Sequence, residues 1–260
     1  MGSAEPPEEL LRTLAQRHER DRRGLAVVEG VAPFLNACAA GFHLEAVVWS
    51  RILLRSSVAQ KLIRLRKREG VPIRQVDPRA FRRLSHGGRA SGVAAIVRQR
   101  WRPLERADPL GGSCWVVLER IRSPGNLGTI LRTAEAAGAA GLVLLGPQLD
   151  PYARAVIRAS MGAVFHLPLV RCPPARFAAW AARHGVQVIA ASPQGERRYD
   201  ELSLRPARAL LLGEEREGLS QEAFELAEAR VQIPILGRGD SLNVAVAGGV
   251  LLYDLLRRGS

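Results

Sequence analysis

The sequence predicts two α/β domains, the larger built on a mostly parallel sheet with helices on both faces. Three observations carry this expectation. In the second half, apolar runs of strand length alternate with alanine-rich helical segments, the pattern of a sheet covered on both sides. In the first half, shorter strands alternate with charged helices. Between them, Arg100–Gly112 (RWRPLERADPLGG) gathers two prolines, several charges and a terminal Gly-Gly, and reads as a linker. The expected bounds are 1–99 for the smaller domain, 100–112 for the linker and 113–260 for the larger domain.

Residues 9–23 (ELLRTLAQRHERDRR) predict one charged helix. GLAVVEG follows as a strand, VAPFLNACAAG as a helix ending at Gly41, and LEAVVWS as a second strand. SSVAQKLIRLRKREG predicts a basic helix opened by a serine cap and closed by Gly70. VPIRQV, the helical turn PRAFRRLS and the strand VAAIVRQ complete the smaller unit. Further on, the strand candidates are CWVVLERI, GLVLLG, AVFHLPLV, VQVIAAS, ARALLLG and ARVQIPI, with helices such as LGTILRTAEAAGA and PARFAAWAARHG between several of them. Ligands of such sheets bind in the loops beyond the strands' carboxyl ends, so chemistry is expected there.

Charge narrows the partner. The chain carries 38 Lys and Arg against 25 Asp and Glu, a net of +13. Arg51–Arg106 holds sixteen of the basic residues and three of the acidic ones, so the rest of the chain balances at 22 of each. An excess confined to one segment points to a polyanion; the alternative is a solvated, arginine-rich helix face. Arginine predominates there, and its planar fork suits phosphate oxygens. With no strongly apolar helical face opposite the charge, nucleic acid is favoured over membrane. No apolar run reaches the ~18–20 residues of a membrane span. The opening MGSAEPPEELLRT lacks the basic-then-apolar order of a secretory signal. With 47% hydrophobic residues the chain is not of the disordered class. Cys38, Cys114 and Cys172 lie far apart, which fits a reducing cytoplasm, and the five histidines show no metal-ligand spacing. No metal is expected.

The dinucleotide fingerprint, the phosphate-binding P-loop and the G-x-S-x-G elbow are absent, which leaves hydride-transfer, kinase and hydrolase readings without a motif. Three segments following strands stand out: ERIRSPGNLGTILRTAEAAGAAGLVLLG, LLLGEEREGLS and IPILGRGDSLNVAVAGGVLLYDLLR. Read residue by residue, Asn126 is a candidate helix cap and Arg132 a solvated charge. Glu214 and Glu217 suit a charged surface turn, Glu215 less so, and Ser241 suits a cap of the last helix. Asn243 lies in an apolar helical run and needs partners if buried.

In this order, the three segments resemble the signature motifs of the SpoU/TrmH family of RNA ribose 2′-O-methyltransferases, within the SPOUT superfamily. The resemblance spans Trp115–Arg257 and includes VIRASMGAVFHLPL. GLAVVEGVAPFLNACAAG and LSHGGRASGVAAIV resemble the family's ribosomal-protein-like substrate-binding domain. The resemblance implies a deep trefoil knot, with Ala245, Ala247, Gly248 and Gly249 letting the last helix pass close to neighbouring backbone. It also implies a homodimer formed through the knotted domain. It implies S-adenosylmethionine as cofactor, held by Gly213, Ile233 and Leu242, and Asn126, Arg132, Glu215, Ser241 and Asn243 as catalytic residues. Arg216 stands where the family often has glycine. The implied activity is a cytoplasmic 2′-O-methyltransferase of 23S rRNA whose basic domain grips folded RNA. Trp101 would either stack on a base or pack as a linker residue. The alternatives are a tRNA methyltransferase and a non-catalytic RNA-binding or ribosome-assembly protein.

Overall fold

The computed structural model describes residues 5–85, 90–146 and 149–259; residues 86–89 of the LSHGGRASGVAAIV segment, Arg89 of the basic block included, lie outside them. The chain divides into two compact units, Met1–Arg100 with Pro151–Phe165, and Trp101–Asp150 with His166–Ser260. The sequence places Pro151–Phe165 in the larger domain, whereas in the structure this stretch packs within the first unit. Tyr152, Val156, Ile157 and Phe165 are buried there. The Arg154 guanidinium donates to the carbonyls of Leu11 (2.9 Å) and Leu84 (3.2 Å), and the Tyr152 hydroxyl donates to the carbonyl of Arg100 (2.8 Å). An apolar periodicity announces a buried face but not which neighbour covers it.

The first unit comprises α1 (Pro7–Thr13), α2 (Arg17–Arg23), β1 (Leu25–Glu29), α3 (Val31–Ala39), β2 (Leu44–Trp49), α4 (Ser57–Arg68), β3 (Ile73–Gln75), α5 (Pro78–Leu84) and β4 (Val93–Arg98). Its sheet runs β1-β4-β2-β3, with β4 antiparallel to both neighbours and β3 parallel to β2. Ser56 caps α4 by accepting from the Ala59 amide at 3.3 Å, and Gly70 follows at φ +88°. Helix α3 is likewise followed by Gly41 at φ +67°. The single helix expected over 9–23 is two. Leu11 and Leu14 are both buried, and the chain turns at Leu14–Gln16 to place them. Arg20 donates to the carbonyls of Leu14 (2.9 Å) and Ala15 (2.8 Å), satisfying groups that the break releases.

The second unit is built from β5 (Trp115–Glu119), α6 (Pro124–Ala136) and β6 (Gly141–Leu145). After the excursion that carries α7 (Arg154–Ala159) come β7 (Leu169–Cys172), α8 (Pro174–Arg183), β8 (Gln187–Ala191) and β9 (Arg197–Arg198). The last elements are β10 (Arg208–Leu212), α9 (Gln221–Glu225), β11 (Ala229–Gln232) and α10 (Val244–Arg258). Among the described residues its sheet has seven strands, all parallel, in the order β7-β6-β5-β10-β8-β11-β9. AVFHLPLV is not one strand. Ala163–Phe165 forms a 3-10 turn, and the ladder starts only after Pro168, which has no amide hydrogen to contribute. The expected linker holds a 3-10 turn of its own, Leu104–Arg106, and Leu104 and Ala107 enter the core beside Trp115, Trp180 and Phe177. The Trp115 indole donates to the carbonyl of Asp108 at 2.8 Å. One face of Trp101 is covered by the Arg171 guanidinium, 4.2 Å from the ring centre.

The chain order reverses between β5 and β10, which lie side by side at the middle of the sheet. That reversal opens a crevice at the carboxyl ends of the central strands, the usual ligand position in such sheets. No helix among the described residues is long and apolar enough to cross a membrane.

Candidate active site

Three loops leave the carboxyl ends of β5, β10 and β11. In the first, Ser123 rather than Asn126 caps α6: its Oγ accepts from the Asn126 amide at 3.3 Å, and Pro124 takes the first helical position. Asn126 therefore sits in the first turn with its side chain free for other partners. At α10 the sequence reading is corrected in the opposite sense. The cap is Asn243, not Ser241. Asn243 stands before the apolar run rather than inside it, and its Oδ1 accepts from the amides of Ala245 (2.9 Å) and Val246 (3.4 Å).

Capping decides how the amides are oriented. With its oxygen committed to α10, Asn243 can only donate, and its Nδ2 reaches Asn126 Oδ1 at 3.2 Å. Asn126 Nδ2 in turn donates to Glu215 Oε1. A directed chain, Asn243 to Asn126 to Glu215, thus joins residues 117 and 89 positions apart in sequence.

The second loop is an acidic turn organised from within. Glu214 is buried, which corrects its reading as part of a surface turn. Its Oε2 accepts from the amides of Glu217 (2.7 Å) and Arg216 (3.1 Å). Those bonds, the Glu217 amide first, hold the carboxyl below the usual range, with help from the Arg122 charge. The turn is closed by reciprocal backbone bonds between Glu214 and Gly218, 3.1 and 2.9 Å long. Arg216 does not have a positive φ, so this position does not need glycine to make the turn. Gly213 does need to be glycine: a Cβ there would lie 2.6 Å from Gly218 C and from Leu219 N.

The β10 and β11 loops close on a cavity of about 400 Å³. Gly213, Glu214 and Glu215 line it from the end of β10, Ser192 and Gln194 from the end of β8, and Gln221 and Phe224 from α9. Ile233, Ile235, Ser241 and Leu242 come from the loop before α10, and Val244, Ala247 and Leu251 from α10 itself. Gly213, Ile233 and Leu242 thus share one cavity, with Glu215 and Ser241 also on its wall. Asn126 and Asn243 lie outside that wall and connect to it through Glu215. Arg132 is exposed on α6 and makes no hydrogen bond or ion pair with the described residues. The cysteines are buried and unpaired, and burial pushes Cys114 and Cys172 up to about 11, which leaves no thiolate nucleophile at neutral pH.

The model of the SpoU rRNA Methylase family matches residues 113–253. The chain belongs to this family. A second model, RNA 2′-O ribose methyltransferase substrate binding, matches residues 27–101 of this SpoU-family chain. The chain is 30% identical over 252 residues to the 23S rRNA (uridine(2479)-2′-O)-methyltransferase of Streptomyces viridochromogenes, covering 94% of this chain and 87% of that protein. It is 33% identical over 236 residues to the 23S rRNA (adenosine(1067)-2′-O)-methyltransferase of Streptomyces azureus, covering 89% and 86%. The crystal structure of an AdoMet-bound rRNA methyltransferase from Sinorhizobium meliloti superposes with a TM-score of 0.88 at 32% identity, covering 99% of this chain and 97% of that one.

The cavity suits the cofactor of such SpoU enzymes. Its volume falls in the range of small-ligand pockets, and its lining mixes apolar side chains such as Leu219, Ile233 and Phe224 with polar ones, among them Arg216 and the carboxylates Glu215 and Glu217, whose charge suits a cationic ligand. The residues that brace the acidic turn lie within the motif segments, but matching the motifs assigns them no role. Glu119 is buried and accepts from the Ser220 amide (2.7 Å) and hydroxyl (2.6 Å). Arg120 donates to the Glu217 carboxylate and to the Gly218 carbonyl, and Arg122 also reaches Glu217, each at 3.4 Å. One signal was available: WVVLE ends an otherwise apolar strand in a charge, and a carboxylate buried in a covered sheet requires partners.

Proposed function

We propose that this chain is an S-adenosylmethionine-dependent methyltransferase acting on a ribose 2′-hydroxyl of 23S rRNA. The observation that carries this reading is the convergence of the β10 and β11 motif loops on one cavity, with the first motif tied to its wall by the Asn243–Asn126–Glu215 chain. When bound, S-adenosylmethionine supplies a methyl group already activated by the positive charge on sulfur. Gly213, Ile233 and Leu242 would hold it, largely through backbone groups. Arg132 holds the target phosphate and stabilises negative charge developing on the ribose oxygen. Asn126, Ser241 and Asn243 orient the hydroxyl, and Glu215 fixes the Asn126 amide. Alignment and charge stabilisation of this kind carry methyl transfer without a metal.

The first unit grips the phosphates of folded RNA through the cations of the Arg51–Arg106 block that lie in it, those up to Arg100, a role supported by the substrate-binding match. Because Arg171 covers a face of Trp101, that indole is assigned to packing rather than base stacking. Both relatives compared above are named for rRNA, which favours rRNA over tRNA. Incubation with tritiated S-adenosylmethionine is expected to label 23S rRNA fragments at an alkali-resistant linkage, the sign of a methylated 2′-oxygen. Label in tRNA alone, or at a base, would overturn this reading.

A deep trefoil knot belongs to the same proposal. In its support, the Arg258 guanidinium clasps the carbonyls of Tyr199 (2.6 Å) and Leu202 (2.8 Å) across the end of α10, and Arg208 donates to the Leu255 carbonyl at 3.0 Å. Gly248 backs α10 against Leu212, where a Cβ would lie 2.9 Å from the leucine side chain. A cytoplasmic location accords with the three buried, unpaired cysteines. A homodimer is supported by Val246, Val250 and Tyr253, an apolar stripe on α10 left 55%, 38% and 51% exposed at helical spacing. Tyr253→Asp is expected to shift the mass measured by light scattering from dimer to monomer; an unchanged dimer removes α10 from the interface.

A further inference from the structure

Glu119 ends β5 and opens the first motif segment but carries no assigned role, yet it is only 7% exposed. The four strand residues before it are apolar and buried, so a carboxylate here must be strongly partnered. Its partner lies on another loop. Both oxygens accept from Ser220, one from the amide at 2.7 Å and the other from the hydroxyl at 2.6 Å. Ser220 is itself the cap of α9, its Oγ accepting from the Ala223 amide at 3.2 Å. The residues on either side of this cap, Leu219 and Gln221, line the cavity together with Phe224.

The next residue points the same way. Successive side chains of a strand face opposite sides, but Arg120 turns left-handed at φ +55°, a conformation uncommon for a residue with a side chain. The turn lets both neighbours reach one loop: Glu119 takes Ser220 while Arg120 donates to Glu217 and the Gly218 carbonyl. Backbone strain of this kind persists where the surroundings over-determine it, and it collects at functional sites.

We propose that Glu119, acting through Ser220, is a positioning residue for the cofactor, setting the wall of the cavity formed by Leu219, Gln221 and Phe224. The proposal rests on the S-adenosylmethionine reading of that cavity. Isothermal titration of the full chain with S-adenosylmethionine tests both. Glu119→Gln leaves one of the two Ser220 bonds without its acceptor, and Ser220→Ala removes the hydroxyl alone. Each is expected to raise Kd about tenfold, and the double variant by little more than either single one, as for residues acting through one contact. The KM for rRNA fragments stays at the wild-type value. Wild-type binding with an unchanged Kd in both single variants overturns the role of Glu119 and leaves the cofactor reading standing, as do independent effects that multiply in the double variant. No binding by the wild type overturns both. Should Glu119→Gln fail to fold, Ser220→Ala decides by the same criterion.

Discussion

Arg132→Ala is expected to transfer methyl groups at least about 100-fold more slowly than the wild type while melting at the same temperature, by analogy with the loss of a charge-stabilising donor in an active site. The two halves of this expectation have separate causes. Arg132 is exposed and makes no hydrogen bond or ion pair with the described residues, so its removal costs the fold within about 0.5 kcal/mol. A long cation held on a helix near the motif loops, with no internal partner, is free to meet an anion from outside. Methyl transfer to rRNA fragments, measured beside a thermal melt, checks both halves. Equal label from wild type and variant would remove Arg132 from the catalytic set, and a lowered melting temperature would mean that the side chain has a structural role.

Asn126→Asp should be nearly as damaging, for a different reason. The substitution keeps the shape and the oxygen that accepts from Asn243, but turns the donor facing Glu215 into a second carboxylate. Two carboxylates at hydrogen-bond distance cannot both ionise, so the pair retains a proton above the usual carboxylate range. The sign follows from linkage. The folded state then binds that proton more tightly than the unfolded one, so the penalty is complete above the raised value and fades as pH falls through it. At neutral pH the variant is expected to lose about 1–3 kcal/mol of stability. Its activity should fall about 100-fold or more, in line with the loss of an oriented polar group. Part of the stability should return in mild acid. Urea midpoints and initial rates across pH 5–8 test this; a variant matching the wild type throughout would show that the Asn126–Glu215 contact does no positioning.

Much of the architecture was legible before any coordinates. The apolar runs WVVLE, GLVLL, QVIAA and RALLL are strands of one parallel sheet, as their length and covered faces predict. Ser56 and Gly70 bound a basic helix where the capping rules put them. The departures have two causes. The packing of Pro151–Phe165 with the first unit depends on neighbours remote in sequence, such as the Leu11 and Leu84 carbonyls that accept from Arg154. The break at Leu14–Gln16, the start of β7 after Pro168 and the choice of Ser123 and Asn243 as caps turn instead on bonds within a few residues, where several groups of similar propensity compete for one place.

By itself the sequence determined the fold class, the family, the concentration of positive charge in Arg51–Arg106 and the three loops that carry the motifs. These properties reside in residue type, order and local period. Only the tertiary structure decided which side chains within those loops meet. Placing β10 beside β5 and β8 brings Gly213, Ile233 and Leu242 to one cavity and aims Asn243 through Asn126 at Glu215. It also buries Glu119 and Glu214 as the braces of the turn. Hydrogen bonds act over about 3 Å, and strand order, not sequence spacing, determines which groups come that close.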